Sequence, residues 1–199
     1  MTDGTTQEPQ AEAEEQLVDK SAPEDRATAG PLDEGEAPVR PYVDLGGLRI
    51  VPRQGMQMRL EVEEKTKRIV AVTLEHEGST VQLQPFAAPR SEGIWQPVRE
   101  VLRAQLERQG AEVVEAEGPL GPELRARLTV GPDGAPRAVR IVGVDGPRWT
   151  LQGLIGGKAA TDDGEAAGAI ELFRATVVCR GQLPMPPREL IPLTAPKTV

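Results

Sequence analysis

Few residues in this chain could do chemistry, and their spacing decides what each can do. Residues 143–157 read GVDGPRWTLQGLIGG and run directly into Lys158. A phosphate-cradling loop needs Gly, four residues, then Gly-Lys-Ser/Thr, so that backbone amides wrap the phosphates and a hydroxyl reaches the metal. Aligned on Gly157-Lys158, that pattern puts Gln152 at the first glycine and Ala159 at the hydroxyl. A dinucleotide fingerprint on Gly153 and Gly156 needs a glycine where Leu151 stands. Both patterns fail, and no cofactor is expected.

One cysteine and one histidine cannot make the Cys/His sets of structural zinc sites, so no metal is expected either. His76 lies between Glu75 and Glu77 in an expected hairpin turn and reads as a solvated side chain. None of Ser21, Ser79 and Ser91 sits in a Gly-x-Ser-x-Gly elbow. Cys179 follows Val177-Val178 and reads as an inert core thiol. Asp145 and the group Asp162, Asp163 and Glu165 are nominal acid–base carboxylates, but turn and cap roles account for them. No catalytic residue is assigned.

Two arginine–tryptophan neighbourhoods remain: Arg90 with Trp95, and Arg148 with Trp149. An arginine can stack on an indole, or bind a carboxylate or phosphate beside it. These four are the candidates for binding a ligand or a partner.

Charge divides the chain before any element is considered. Residues 1–40 hold eleven Asp/Glu against three Lys/Arg, which is the whole of the net −8, and the remainder carries 20 of each sign. The first segment has few sizeable apolar residues and reads as a disordered acidic tail, because so little burial cannot offset the entropy of ordering. Residues 41–182 read as a single α+β domain, and the proline-rich residues 183–199 as an extended segment packing Met185, Leu190, Ile191 and Leu193.

The elements that must position the candidates are mostly strands. Residues 57–63, 67–75, 80–86, 123–130, 137–144 and 148–155 alternate polar with apolar or form β-rich runs, as half-buried strands do. In the fourth of these, Leu124, Ala126, Leu128 and Val130 read as core, and Glu123, Arg125, Arg127 and Thr129 as the wet face. Turns are expected at residues 76–79, at Gly131-Pro132-Asp133-Gly134 and at Asp145-Gly146, the last as a type I′ hairpin. Gly153 in mid-strand predicts the close approach of a helix.

Between Ser91 and Gly110, apolar residues recur at helical spacing, and Pro97 argues for a start near Trp95 or an irregular first turn. Asp162 and Glu165 resemble a capping box, with Ala166, Ile170, Phe173 and Val177 on one stripe behind it. A last strand is expected within 175–180. The order gives an α+β fold, a mainly antiparallel sheet with two helices packed on it. In architecture it resembles the Mog1/PsbP-like α/β/α sandwich.

Phe86-Ala87-Ala88-Pro89-Arg90-Ser91, Gly93-Ile94-Trp95, Asp145-Gly146-Pro147-Arg148-Trp149, Arg180-Gly181 and Pro184-Met185-Pro186-Pro187-Arg188-Glu189 together carry a resemblance. Over about residues 40–195 the chain is similar to an actinobacterial family known as domain of unknown function 3710. The resemblance implies a variable acidic N-terminus and no assigned activity, catalytic residue or cofactor.

Several function classes are excluded. No stretch approaches the roughly 20 apolar residues of a membrane span, and the N-terminus lacks the basic start and apolar core of a secretory signal. With a single cysteine, the expectation is a cytoplasmic protein. Nucleic-acid binding wants a basic, aromatic-bearing face, whereas residues 41–199 are neutral with five aromatics (Tyr42, Phe86, Trp95, Trp149 and Phe173). The leading expectation is a non-enzymatic protein-interaction or regulatory module with a protein partner. The alternative is a small-ligand-binding protein or enzyme with a cleft near Arg90, Trp95, Arg148 and Trp149. Sequence leaves the partner's identity and the oligomeric state open.

Overall fold

In the computed structural model, the structure describes residues 17–129 and 134–196. In chain order the elements are α1 (Arg26–Ala29), β1 (Leu32–Asp33), β2 (Val43–Asp44), β3 (Leu48–Ile50), β4 (Gln57–Val62), β5 (Ile69–His76), β6 (Ser79–Ala87), α2 (Trp95–Arg108), β7 (Glu112–Gly118), β8 (Gly121–Thr129), β9 (Pro136–Asp145), β10 (Trp149–Gly157), α3 (Asp163–Arg174) and β11 (Val177–Val178). A 3-10 turn at Lys158–Ala160 leads into α3.

Seven strands form one sheet in the order β4-β5-β6-β10-β9-β8-β7, with antiparallel pairing throughout. Two meanders build it: β4 to β6, and β7 to β10. They join where β6 pairs with β10 from Trp149↔Ala87 to Gly157↔Ser79. A smaller sheet, β1-β11-β3-β2, lies alongside and contains the one parallel pair among the described residues, β1 with β11.

Alternation decides which helix each strand meets. On β9, Val142 and Val144 belong to the larger core with Phe173 of α3, whereas Ile141 packs with Trp95 of α2 and Leu124. Adjacent residues on a strand face opposite ways, so the two helices cover opposite faces of the sheet. Each sits on a glycine. A side chain at Gly143 would meet the Trp95 ring, and one at Gly153 would come within 2.8 Å of the Phe173 ring. The close approach that Gly153 predicts is thus made by α3.

α2 begins at Trp95, which makes Pro97 its third residue. The missing amide hydrogen falls among the first four, which have no helical acceptor, so the proline is accommodated. Asp162 caps α3 by accepting from Gly164 N at 2.7 Å and Glu165 N at 3.1 Å. Only this half of the expected capping box forms, since the Asp162 amide donates to Lys158 O. Val177, expected on the helical stripe, lies in β11, and Ala169 and Leu172 fill the buried face of α3 instead.

Three other expectations change. Residues 1–16 of the expected tail lie outside the described residues, as do residues 131–133 of the expected 131–134 turn. Residues 17–40, however, follow an ordered path against the domain. Leu32 N and Glu34 N donate to Thr176 O and Val178 O, and Arg26 grips both carboxylate oxygens of Glu36 at 2.8 and 2.6 Å. Composition counted these charges as solvated; in the fold they pair, and backbone bonds to β11 supply what apolar burial does not.

Glu123, assigned to the wet face, is 1 % exposed, because Arg125 and Arg140 share that face and neutralise it. Asp145-Gly146 is not a type I′ turn. Asp145 ends β9, and Gly146 N donates to Trp149 O at 2.7 Å across a Pro147-Arg148 loop. Proline suits the second position of such a turn, which moves the reversal two residues on.

The C-terminal segment runs extended along β6 and the small sheet. Ala87 N donates to Glu189 O, Arg188 N to Ala87 O, Ile191 N to Pro85 O and Thr194 N to Leu45 O. Ile191 and Leu193 are buried, and Met185 and Leu190 half-buried.

Candidate functional site

Two charged regions stand out, and the sequence candidates lie in the first. At one corner of the large sheet, the end of β6, the start of α2, the β9–β10 loop and the C-terminal segment meet. Ala88 N donates to Arg148 O at 3.0 Å, and Arg188 N to Ala87 O at 2.7 Å. Arg148, the β6 end and Arg188 therefore sit on three neighbouring stretches of chain.

Asp145 organises this corner. Its side chain is buried, and four donors reach it: Ser21 N at 2.9 Å on one oxygen, and Ile94 N and Trp95 N, each at 3.2 Å, with Thr150 Oγ1 at 2.6 Å on the other. No side chain of its own segment caps α2, so a strand on the far side of the chain does so. Charge-assisted bonds of this kind satisfy a buried carboxylate.

The N-terminal segment closes over the same place. Lys20 Nζ donates to the carbonyls of Gly146, Pro147 (2.8 Å) and Pro89 (3.4 Å). Burial pushes its pKa below the ordinary lysine value, and Asp145 works against that shift.

Both tryptophans are buried structural residues on opposite faces. Trp95 donates through Nε1 to Pro122 O at 2.9 Å, and Trp149 to Asp33 Oδ1 at 2.9 Å. Their stacked cations are Arg99 at 6.0 Å and Arg26 at 5.7 Å, not the sequence neighbours Arg90 and Arg148. The four candidates do not line one cleft. What the corner brings together instead is arginine: Arg90 and Arg188 are exposed, Arg148 is half-buried and Arg180 is buried.

None of these four pairs with a carboxylate among the described residues. Arg180 Nη1 donates to Leu183 O at 2.8 Å, while its Nε is buried with no partner. Burial first, then the charge of Arg148, holds the Arg180 pKa below the usual arginine range, against the pull of Glu189. Arg180 and Arg188 escape sequence reasoning because no tryptophan stands beside them. The signal that could have found them was an arginine in each of the two C-terminal motifs.

The second region is a cleft of about 570 Å³ between α3 and strands β7 to β9. Arg125 and Arg140 line it from the sheet, Ala166, Ala167 and Ile170 from the helix, and Arg174 from the helix's far end. Arg140 is 2 % exposed; its Nη2 lies 2.7 Å from Asp163 Oδ1, and Nη1 lies 3.7 Å from Glu123 Oε1. Arg125 reaches Glu123 at 2.8 Å and Asp163 at 3.3 Å. Asp163 is held below the ordinary carboxylate range, first by its bond from Arg140 and then by the charge of Arg125. Arg174 pairs with Asp25 at 3.0 Å, and Glu171 with Arg53 at 3.0 Å.

The remaining nucleophiles are quiet. Burial raises the half-buried Cys179 thiol to about 11, so it stays protonated near neutrality. His76 ends β5 against Gln54 O at 3.2 Å, and the Ser79 hydroxyl accepts from Ala159 N at 3.1 Å. Among the described residues, no group of three or more His, Cys, Asp or Glu side chains is placed to hold a metal, and no helix is long and apolar enough to cross a membrane.

Fold and site define an α+β protein, a mainly antiparallel sheet with a helix over each face and two arginine-rich regions of opposite electrostatic character. The chain belongs to the family described as protein of unknown function (DUF3710), whose model matches residues 30–199. No curated protein and no solved structure matches the chain.

Proposed function

We propose that this protein is a non-enzymatic cytoplasmic interaction module that docks an acidic segment of a partner protein on the arginine corner. The observation that carries this reading is the charge imbalance there. Arg90, Arg148, Arg180 and Arg188 lie on chain segments that meet at one corner, with no carboxylate paired to any of them among the described residues. Arginine presents five donors in a planar fork that matches carboxylates, so such a cluster selects acidic side chains held close together. The local potential also speeds encounter with a negative partner.

Fluorescence anisotropy with a labelled hexaglutamate peptide tests this. Binding is expected to weaken as salt rises and to be lost in an Arg90→Glu/Arg148→Glu variant. Arg59→Glu/Arg137→Glu, on exposed residues of β4 and β9 remote from the corner, is the control and should bind as the parent does. Equal loss in both variants, or equal competition by a DNA duplex of matched charge, would reject an acidic-protein surface.

A further inference from the structure

A different region carries a second and independent inference. We propose that the cleft beside α3 is a binding site for an organic monoanion with an apolar body, and that Asp163 is its built-in occupant. Arg125 and Arg140 share two carboxylates, Glu123 beneath them and Asp163 above. The two anions differ sharply in burial. Glu123 is 1 % exposed and fixed in the core, whereas the Asp163 side chain is 75 % exposed while holding a guanidinium that is 2 % exposed. The outer anion can therefore leave without opening the core.

When Asp163 swings away, Glu123 neutralises one of the two guanidiniums and one positive charge remains. That charge faces the cleft, and Ala166, Ala167 and Ile170 form the wall beside it. Arg174 and Glu171 add no net charge, since Asp25 and Arg53 already engage them. The exposed Glu117, near the end of β7, borders the cleft and penalises a second negative charge. A single carboxylate on a flat or branched apolar group meets each of these conditions: a charge-assisted bond to Arg125 and Arg140, burial against the alanines, and no excess charge. Two sources share that chemistry, a free small acid and the terminal carboxylate of a peptide ending in an apolar residue.

The test is a titration of the full chain with sodium benzoate, followed by amide NMR shifts at Gly118, Ala166, Ala167 and Ile170. Saturable shifts are expected there, tightened about tenfold by Asp163→Asn and weakened about tenfold by Arg125→Gln, a coupling of ordinary size for competing groups. Arg125 is partly exposed, so its variant disturbs the core less than an Arg140 variant would; the thermal midpoint checks that it is folded. A second arm compares an acetylated tetrapeptide ending in phenylalanine as the free acid and as the amide. Binding of the acid alone assigns the site to a chain terminus, and binding of benzoate without either peptide assigns it to a free acid. Either result supports the proposal. Absence of saturable shifts in Asp163→Asn, or an affinity that this variant leaves unchanged, overturns it, and neither outcome bears on the arginine corner.

Discussion

The cleft and the corner each gather arginines, yet they treat them in opposite ways. In the cleft every guanidinium has a carboxylate, and the most buried one, Arg140, has two in reach. At the corner the buried carboxylate of Asp145 is taken up by three amides and a hydroxyl, and Glu189 pulls on Arg180 without forming an ion pair with it. Burial makes the first arrangement necessary, because an uncompensated charge in the interior costs several kcal/mol. Exposure permits the second for Arg90 and Arg188, whereas the buried Arg180 is met by the Leu183 carbonyl and has its pKa lowered by burial. A chain portion that is neutral overall can thus hold one balanced and one unbalanced cluster, and net charge alone distinguishes neither.

The largest way to break this contrast is to unbalance the cleft. Arg140→Ala leaves the buried Glu123 with Arg125 alone, empties the site of a 2 %-exposed side chain and should cost about 3–5 kcal/mol in urea unfolding, whereas Arg140→Met with Glu123→Leu should recover most of it. A loss under about 1 kcal/mol for the single variant would show that the pair is not holding the core.

At the corner, Asp145→Ala removes the acceptor of four bonds. It should cost about 2–4 kcal/mol and speed amide exchange at Ser21, Ile94 and Trp95, with α3 unaffected. Uniform exchange changes would mean that Asp145 acts globally rather than as a local tie.

Acid sharpens the comparison more gently. Asp163 and Glu36 are both held below the ordinary carboxylate range by arginine bonds. Their stabilising contribution is therefore complete above the unfolded value of about 4 and is lost as pH falls through the lower folded value. Lowering pH from about 5 to 2 should loosen the start of α3 and the Arg26–Glu36 clasp before it loosens the Arg90–Arg188 corner. Amide exchange across that range measures it, and simultaneous loosening would contradict the assignment.

Much of the framework was legible. Alternation located six of the seven strands of the large sheet, because a half-buried strand writes its period of two into the sequence, and it missed the edge strand β7, which is largely exposed. The Asp162 cap and the helix start near Trp95 were legible for a similar reason, since a cap and a proline act on amides within three residues. The arginines of the corner were half legible: Arg90 and Arg148 drew notice through their tryptophans, but those tryptophans serve other cations. Residues 17–40 were misjudged because composition measures what a segment could bury alone, and this one is held by partners up to 149 residues away.

By itself, then, the sequence determined the α+β class, the positions of six long strands and of two helices, the seat for a helix at Gly153 and the failure of the phosphate-loop patterns. Each follows from local periodicity or from a spacing that must hold along the chain. Only the tertiary structure decided that Asp145 caps a helix rather than making a turn, that Glu123 is buried between arginines, and that four arginines share one corner. Those outcomes depend on which distant segments meet, and a side chain's charge or burial is settled by the neighbours that folding brings to it.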